Sequence, residues 1–342
     1  MPEFHSLWGS AWLRLRTDKA AMLGLVLIIM VLLAGLFAPW LAPQNPNTQV
    51  LEFRNQAPGF KGEVIIYKIE PTLPEKRIAV KKIDEFEREI LITDHLGRKF
   101  TINRSQLLKG DSWHQSYRYW LGTDHFGRDI YSRILYGARI SLLVGFSAST
   151  ISLLVGLILG ALAGYNGGWW EIIIMRFADI MFGFPTLLFL IGITAAFEPS
   201  LLVVFIAIGL VTWPGMARLM RGQVAVTKEK EFIQAAKALG FSPSRILWKH
   251  IVPNCLAPVI VTYTLGIAGA IMVEASLSFL GLGAQPPTAS WGAMINSGKD
   301  FLRMAPWIAT IPGIVIALTV LGFNLLGDGL RDALDPTMKR RF

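Results

Sequence analysis

The sequence predicts an all-α polytopic membrane protein with six transmembrane helices and a small β-containing external insertion between the first two. Three observations carry that prediction. Of 342 residues, 53% are hydrophobic and only 17% charged, against about 25% charged in soluble domains. The apolar residues come in long, nearly uncharged runs, each sufficient for the ~20 residues that a spanning helix needs. The basic residues behind the formal charge of +9 fall in the connections between those runs. They form no stripe with interleaved aromatics, so nucleic acid is not indicated as a partner.

The chain opens with a segment, 1–19, in which Leu7, Trp8, Trp12, Leu13 and Leu15 stand beside Arg14 and Arg16. Over His5 to Arg16 this suits a helix lying in the membrane interface. The first apolar run, 20–42, exceeds the ~7–15 residues of a signal-peptide core and ends in Ala38-Pro39-Trp40-Leu41-Ala42-Pro43, so it reads as an uncleaved anchor. Further spans are expected at 139–164, 172–197, 199–219, 255–281 and 306–327. Glu198-Pro199 is a tight turn that makes the third and fourth spans a close antiparallel pair.

The long connection 43–118 contains β-prone runs at Val64-Ile65-Ile66-Tyr67, Ile90-Leu91-Ile92-Thr93 and Phe100-Thr101-Ile102-Asn103. The last two are joined through a turn containing Gly97, and a small β domain is expected over about 44–115. Its basic character does not hold it inside, because long segments translocate largely regardless of charge. The shorter loop 218–254 carries Arg218, Arg221, Lys228, Lys230, Lys237, Arg245 and Lys249 against only Glu229 and Glu231. The tail ends in Lys339, Arg340 and Arg341. A cytoplasmic excess of basic residues then puts both termini inside, in keeping with an even number of spans. A lone cysteine, Cys255, excludes an intramolecular disulfide and a thiolate metal site.

In the second span Gly156, Gly160 and Gly164 share one helix face, which predicts close packing against another helix. Arg176 and Asp179 are spaced to pair with each other. Glu274 in the fifth span has no evident local partner, so a gating role and a buried helix-to-helix hydrogen bond are both open.

The loop 218–254 reads as two short helices. Thr227 is a candidate N-cap, Glu229 and Glu231 fall in the first turn, and Gly240 stands where a left-handed C-cap residue belongs, giving a helix over 228–240. Phe232, Ala235, Ala236 and Leu239 form its apolar stripe, suited to a groove on a partner or to the protein's own bundle. Ser242-Pro243 starts the second helix, whose apolar side is Ile246, Leu247 and Ile251, and Pro253 turns the chain into the fifth span. No phosphate loop, H-E-x-x-H zinc helix or G-x-S-x-G turn occurs. From the residues alone, an ion-coupled transporter lined by Glu274, Arg176 and Asp179, or a sensor acting through 44–115, are also possible.

Gln234-Ala235-Ala236, Gly240 and Ile251-Val252-Pro253 resemble the EAA loop of binding-protein-dependent ABC importer permeases, with Gln234 in place of the usual glutamate. Leu121-Gly122-Thr123-Asp124-His125-Phe126-Gly127-Arg128-Asp129 with Arg133, and Glu274-Ala275-Ser276-Leu277-Ser278-Phe279-Leu280-Gly281, look like the C-type permease of dipeptide and oligopeptide importers. So does the closing Arg331-Asp332-Ala333-Leu334-Asp335-Pro336. The resemblance covers roughly 1–43 and 119–342.

It implies a type I ABC importer permease fold in a bacterial inner membrane, with a core over 119–342. It also implies a second, B-type permease subunit, two ABC ATPase subunits holding ATP and magnesium, an external solute-binding protein and a peptide substrate. This chain would itself be non-catalytic, without metal or cofactor. Glu231, Phe232, Gln234, Ala235, Ala236, Leu239, Gly240, Ile251 and Pro253 would couple to the ATPase. Gly122, Thr123, Asp124, Gly127, Arg128, Asp129, Arg133 and Glu274 would be periplasmic or gate residues.

Overall fold

The computed structural model describes residues 7–68, 75–94, 97–107 and 113–334. His5, the side chains of Leu7 and Trp8, Asp335-Pro336 and the tail cations Lys339, Arg340 and Arg341 lie outside the described residues. Twelve α-helices and six strands are described: α1 (Leu7–Thr17), α2 (Lys19–Leu36), α3 (Ala38–Leu41), β1 (Phe60–Tyr67), β2 (Lys76–Val80), β3 (Lys82–Glu85), β4 (Glu89–Thr93), β5 (Lys99–Asn103), β6 (His114–Tyr119), α4 (Ile130–Asn166), α5 (Gly168–Phe182), α6 (Thr186–Ala195), α7 (Leu201–Thr227), α8 (Glu231–Ala238), α9 (Pro243–Arg245), α10 (Leu256–Phe279), α11 (Trp291–Gly298) and α12 (Trp307–Leu334).

Among the described residues, five helical segments are long and apolar enough to cross a membrane: α2, α4, α7, Pro243–Phe279 and α12. They become six if α5 and α6, bent by 88° at their junction, count as one span. The expected continuous third span is therefore broken. Gly183 caps α5 and Pro185 stands immediately before α6. Proline lacks an N–H and drives its predecessor out of the helical region, so the ladder stops there. The second span starts at Ile130 rather than 139, and the fourth runs on to Thr227 rather than 219.

The chain divides into two compact units: one of residues up to Leu33, Ile140–Gln285 and from Val315 on, the other of Ala34–Arg139 and Pro286–Ile314. In the first, the predicted glycine face of α4 meets α7. A Cβ on Gly156, Gly160 or Gly164 would come within 2.6, 2.4 and 2.6 Å of Met216 Cβ, Ala217 O and Arg221 O. Side chains there would push the backbones apart, which is how small residues set helix contacts in lipid. α2 and α12 approach as closely: a Cβ on Gly24 would lie 2.6 Å from Gly322 O.

The second unit holds two three-stranded antiparallel sheets, ordered β2-β1-β6 and β3-β4-β5. β1 is buried on both faces. Val64 and Ile66 join Val50, Phe53, Ala79 and Tyr119 in one core, while Ile65 joins Val80, Ile90, Ile92 and Ile102 in the other. That is the period-2 alternation of a central strand. The Gly97 turn is present, with Gly97 N donating to Asp94 O at 3.1 Å and a left-handed φ of 78°.

Candidate functional site

The helix α8 is shorter than the expected 228–240. Thr227 does not cap it: it closes α7, is buried, and its Oγ1 accepts from the Cys255 thiol at 3.6 Å. Lys230, extended at φ −66° and ψ 147°, takes the N-cap position. At the other end Gly240 adopts φ +76°, its N–H reaches Lys237 O at 2.9 Å, and Phe241 N reaches Ala236 O at 3.2 Å. This pair of bonds satisfies carbonyls the helix would otherwise leave bare, and the left-handed residue suits glycine.

The predicted stripe of α8 splits in two. Ala236 faces inward with Ile233, which is 0% exposed, against Met220 and Val224 of α7, Ile246, Leu247 and Ile251, and Val259 of α10. Phe232, Ala235 and Leu239 face out, with Leu239 at 73% exposure. Spacing of i, i+3 and i+7 keeps these three on one side of the helix. Glu231 is exposed in the first turn, and Gln234 Nε2 donates to Lys228 O at 3.2 Å. Lys228 Nζ in turn donates to Gly164 O at 3.2 Å, a cation on the carbonyl end of α4 where the helix dipole favours it. Ser242 caps α9 as expected, accepting from Arg245 N. A π-helical turn over Ile246–Ile251 and a 3₁₀ turn over Val252–Cys255, with Pro253 in its first positions, lead into α10.

Around Asp124 the predicted gate residues are buried. Asp124 Oδ1 accepts from Phe126 N at 2.9 Å and Arg128 N at 3.0 Å, and Oδ2 accepts from Arg128 Nε at 2.6 Å. Arg133 Nε lies 3.7 Å from the same carboxylate, and its Nη1 donates to Pro46 O at 3.1 Å. Thr123 Oγ1 donates to Phe53 O and accepts from Gln56 N at 2.8 Å. Gly122 and Gly127 have φ of +80° and +70°, and a Cβ on Gly127 would overlap Val50 O. Asp129 starts α4: its Oδ2 accepts from Ser132 N at 2.8 Å and Ser132 Oγ at 2.6 Å. Burial pushes the Asp129 carboxyl above the ordinary carboxylate range.

The charges within the spans pair differently from the expectation. Asp179 bonds to Arg218 of α7, and Arg221 Nε donates to Glu171 at 2.7 Å. The two ion pairs join α5 to α7, whereas an Arg176–Asp179 pair would stay within α5 and brace nothing. Glu274 is fully buried, accepting from Ser278 Oγ at 2.6 Å, one turn on, and from Ser141 Oγ of α4 at 3.4 Å. The helix-to-helix hydrogen bond of the second reading is present.

Residues 156–340 match the model of the binding-protein-dependent transport system inner membrane component. This chain belongs to that family. Residues 6–58 also match the N-terminal TM domain of oligopeptide transport permease C. The permease is 52% identical over 237 residues to the dipeptide transport system permease protein DppC of Alkalihalophilus pseudofirmus, covering 69% of this chain and 77% of that one. It is 36% identical over 330 residues to the di/tripeptide transport system permease protein DppC of Pseudomonas aeruginosa, covering 96% and 91%. It is 36% identical over 335 residues to the oligopeptide transport system permease protein OppC of Bacillus subtilis, covering 98% and 91%. The last two alignments extend across the segment 43–118. Among solved structures, a chain of an inward-facing MetNI methionine ABC transporter matches with a TM-score of 0.48 at 14% identity, covering 59% of this chain and 96% of that one.

In this permease the residue that sequence reading missed is Ile233, the anchor of α8. Its signal was present: Ile233 and Ala236 are three apart and share Ala236 with the apolar stripe already recognised. Arg218 and Arg221 lie 39 and 50 residues from Asp179 and Glu171, and nothing local in the sequence connects them.

Proposed function

We propose that this permease forms half of the membrane pathway of an ATP-driven peptide importer, moving its solute by alternating access. The observation that carries this reading is α8: a short helix bolted to the bundle by Ile233 and Ala236 that presents Phe232, Ala235 and Leu239 to the outside. Such a face fits a groove on a partner. The partners are two ATPase subunits, a second B-type permease and an external solute-binding protein, with both termini of this chain in the cytoplasm. The peptide as solute is supported by the relatives, which are dipeptide, di/tripeptide and oligopeptide transport permeases.

Because α8 packs on the turn Ile246–Ile251 that leads into α10, shares a core with α7, and bonds through Gln234 to Lys228, which in turn bonds the end of α4, closure of the ATPase pair acts on three spans at once. No bond in the solute changes. ATP and magnesium bind the partner subunits, and this chain supplies passage, gating and force transmission without a cofactor or metal of its own. Ala235→Asp, on the outward face, is expected to lower peptide uptake into proteoliposomes at least tenfold while insertion and assembly persist. Wild-type uptake by that variant would overturn the coupling role.

A further inference from the structure

Within the first unit, α4, α7 and α10 line an open groove of about 240 Å³, along which Gly215, Gly266 and Gly269 are exposed. Its walls are mostly apolar and no Asp, Glu, Lys or Arg lines it. Hydroxyls enter from all three helices: Ser149 and Ser152 from α4, Thr212 from α7, and Thr262 from α10. Thr212 and Thr262 donate to the carbonyls of Ile208 and Pro258, one turn back, which leaves their oxygens able to accept. Ser149 is 6% exposed, its Oγ has no hydrogen-bond partner among the described residues, and it faces Gly266, where a Cβ would lie 3.6 Å away. A buried hydroxyl normally finds a partner, so an unmatched one aimed into a groove marks where a ligand or water completes it. Gly215 and Gly269 line the same space, and a Cβ on either would meet nothing within 4 Å.

We infer that this hydroxyl-lined groove is the chain's own contact site for the peptide backbone in transit. The inference rests on the peptide-importer reading. A hydroxyl both donates and accepts, so it suits the amide N–H and the carbonyl alike, whatever side chains the peptide carries. Neutral hydrogen bonds release as readily as they form, and an uncharged wall neither holds nor repels acidic or basic side chains. α8 shares a core with residues of α7 and α10, and Lys228 at the end of α7 bonds the end of α4, so ATPase closure reaches the helices that line the groove.

The test uses the assembled importer in proteoliposomes, with radiolabelled trialanine as the probe. Gly269→Leu fills the groove where the structure has room for a side chain; uptake is expected to fall at least tenfold with ATP hydrolysis retained within twofold. Uptake above half of wild type would overturn the site. A second variant, Gly269→Cys on a Cys255→Ser background, guards against misassembly. Its labelling by a small hydrophilic thiol reagent is expected in at least one nucleotide state, with excess trialanine protecting it. No labelling in any state, or labelling that trialanine does not slow, would overturn the inference. Failure of the wild-type importer to accumulate trialanine while its ATPase turns over would sink the peptide reading itself.

Discussion

The segment around Asp124 and the helix α8 both carry family-pattern residues, and they use them in opposite ways. Thr123, Asp124, Arg128, Asp129 and Arg133 are all under about a tenth exposed and hydrogen-bonded to neighbouring backbone or to one another. On α8 the pattern residues divide, with Ala236 inside and Phe232, Ala235 and Leu239 outside. A shared motif is therefore no measure of a shared role. The first set is hydrogen-bonded into the backbone just before α4. The second offers an apolar surface that its own unit leaves uncovered.

The contrast can be broken most sharply at Asp124. Removing its carboxylate by Asp124→Ala leaves two buried guanidinium groups without their partner and is expected to destabilise the protein by about 3–5 kcal/mol. A fall of that size in a denaturant melt in detergent, with loss of membrane-inserted protein, would support the structural role. A stable variant that only loses uptake would instead make the segment a working gate. Ile233→Ala is expected to cost about 2–4 kcal/mol, as for other buried aliphatic truncations, and to uncouple ATP hydrolysis from uptake. Retention of tight coupling would mean that α8 is not held through this anchor. Gly127→Ala forces a Cβ into a left-handed turn against Val50 and is expected to cost about 1–3 kcal/mol, whereas Ala235→Asp should change stability by under ~0.5 kcal/mol.

Acid pH separates the two regions further. The Asp129 carboxyl titrates above its unfolded value of 3.8, so the folded state binds that proton more tightly. Its contribution to stability is greatest below the ordinary carboxylate range and is lost as pH rises through the raised value. Replacing it by Asn, which still caps a helix, should flatten that part of the stability profile, while α8 variants leave the profile unchanged. At the half-exposed Arg218–Asp179 pair, Asp179→Asn should shift stability by under ~1 kcal/mol.

Much of the architecture was legible in the sequence because lipid imposes a coarse rule: a run of about twenty apolar residues must become a helix. The spans, the alternating strands at 64–67, 90–93 and 100–103, the Gly240 cap and the Ser242-Pro243 start all rest on local chemistry. The break at Gly183-Phe184-Pro185 is equally local, but the high hydropathy of 172–197 hides it. Thr227 looked like a cap because its side chain suits one; it is instead inside α7, where the Cys255 thiol reaches it.

By itself, then, the sequence determined which segments enter the membrane, where the β insertion falls, and that a small apolar helix follows the fourth span. Only the tertiary structure decided that Asp179 pairs across to Arg218, that Glu274 is held by Ser141 and Ser278, and that Ile233 rather than Phe232 anchors α8. The physical reason is distance along the chain. Periodicity and capping act within a few residues, while a partner 39 or 133 residues away is set by how the helices pack. Packing also decides which side of an amphipathic helix is already covered.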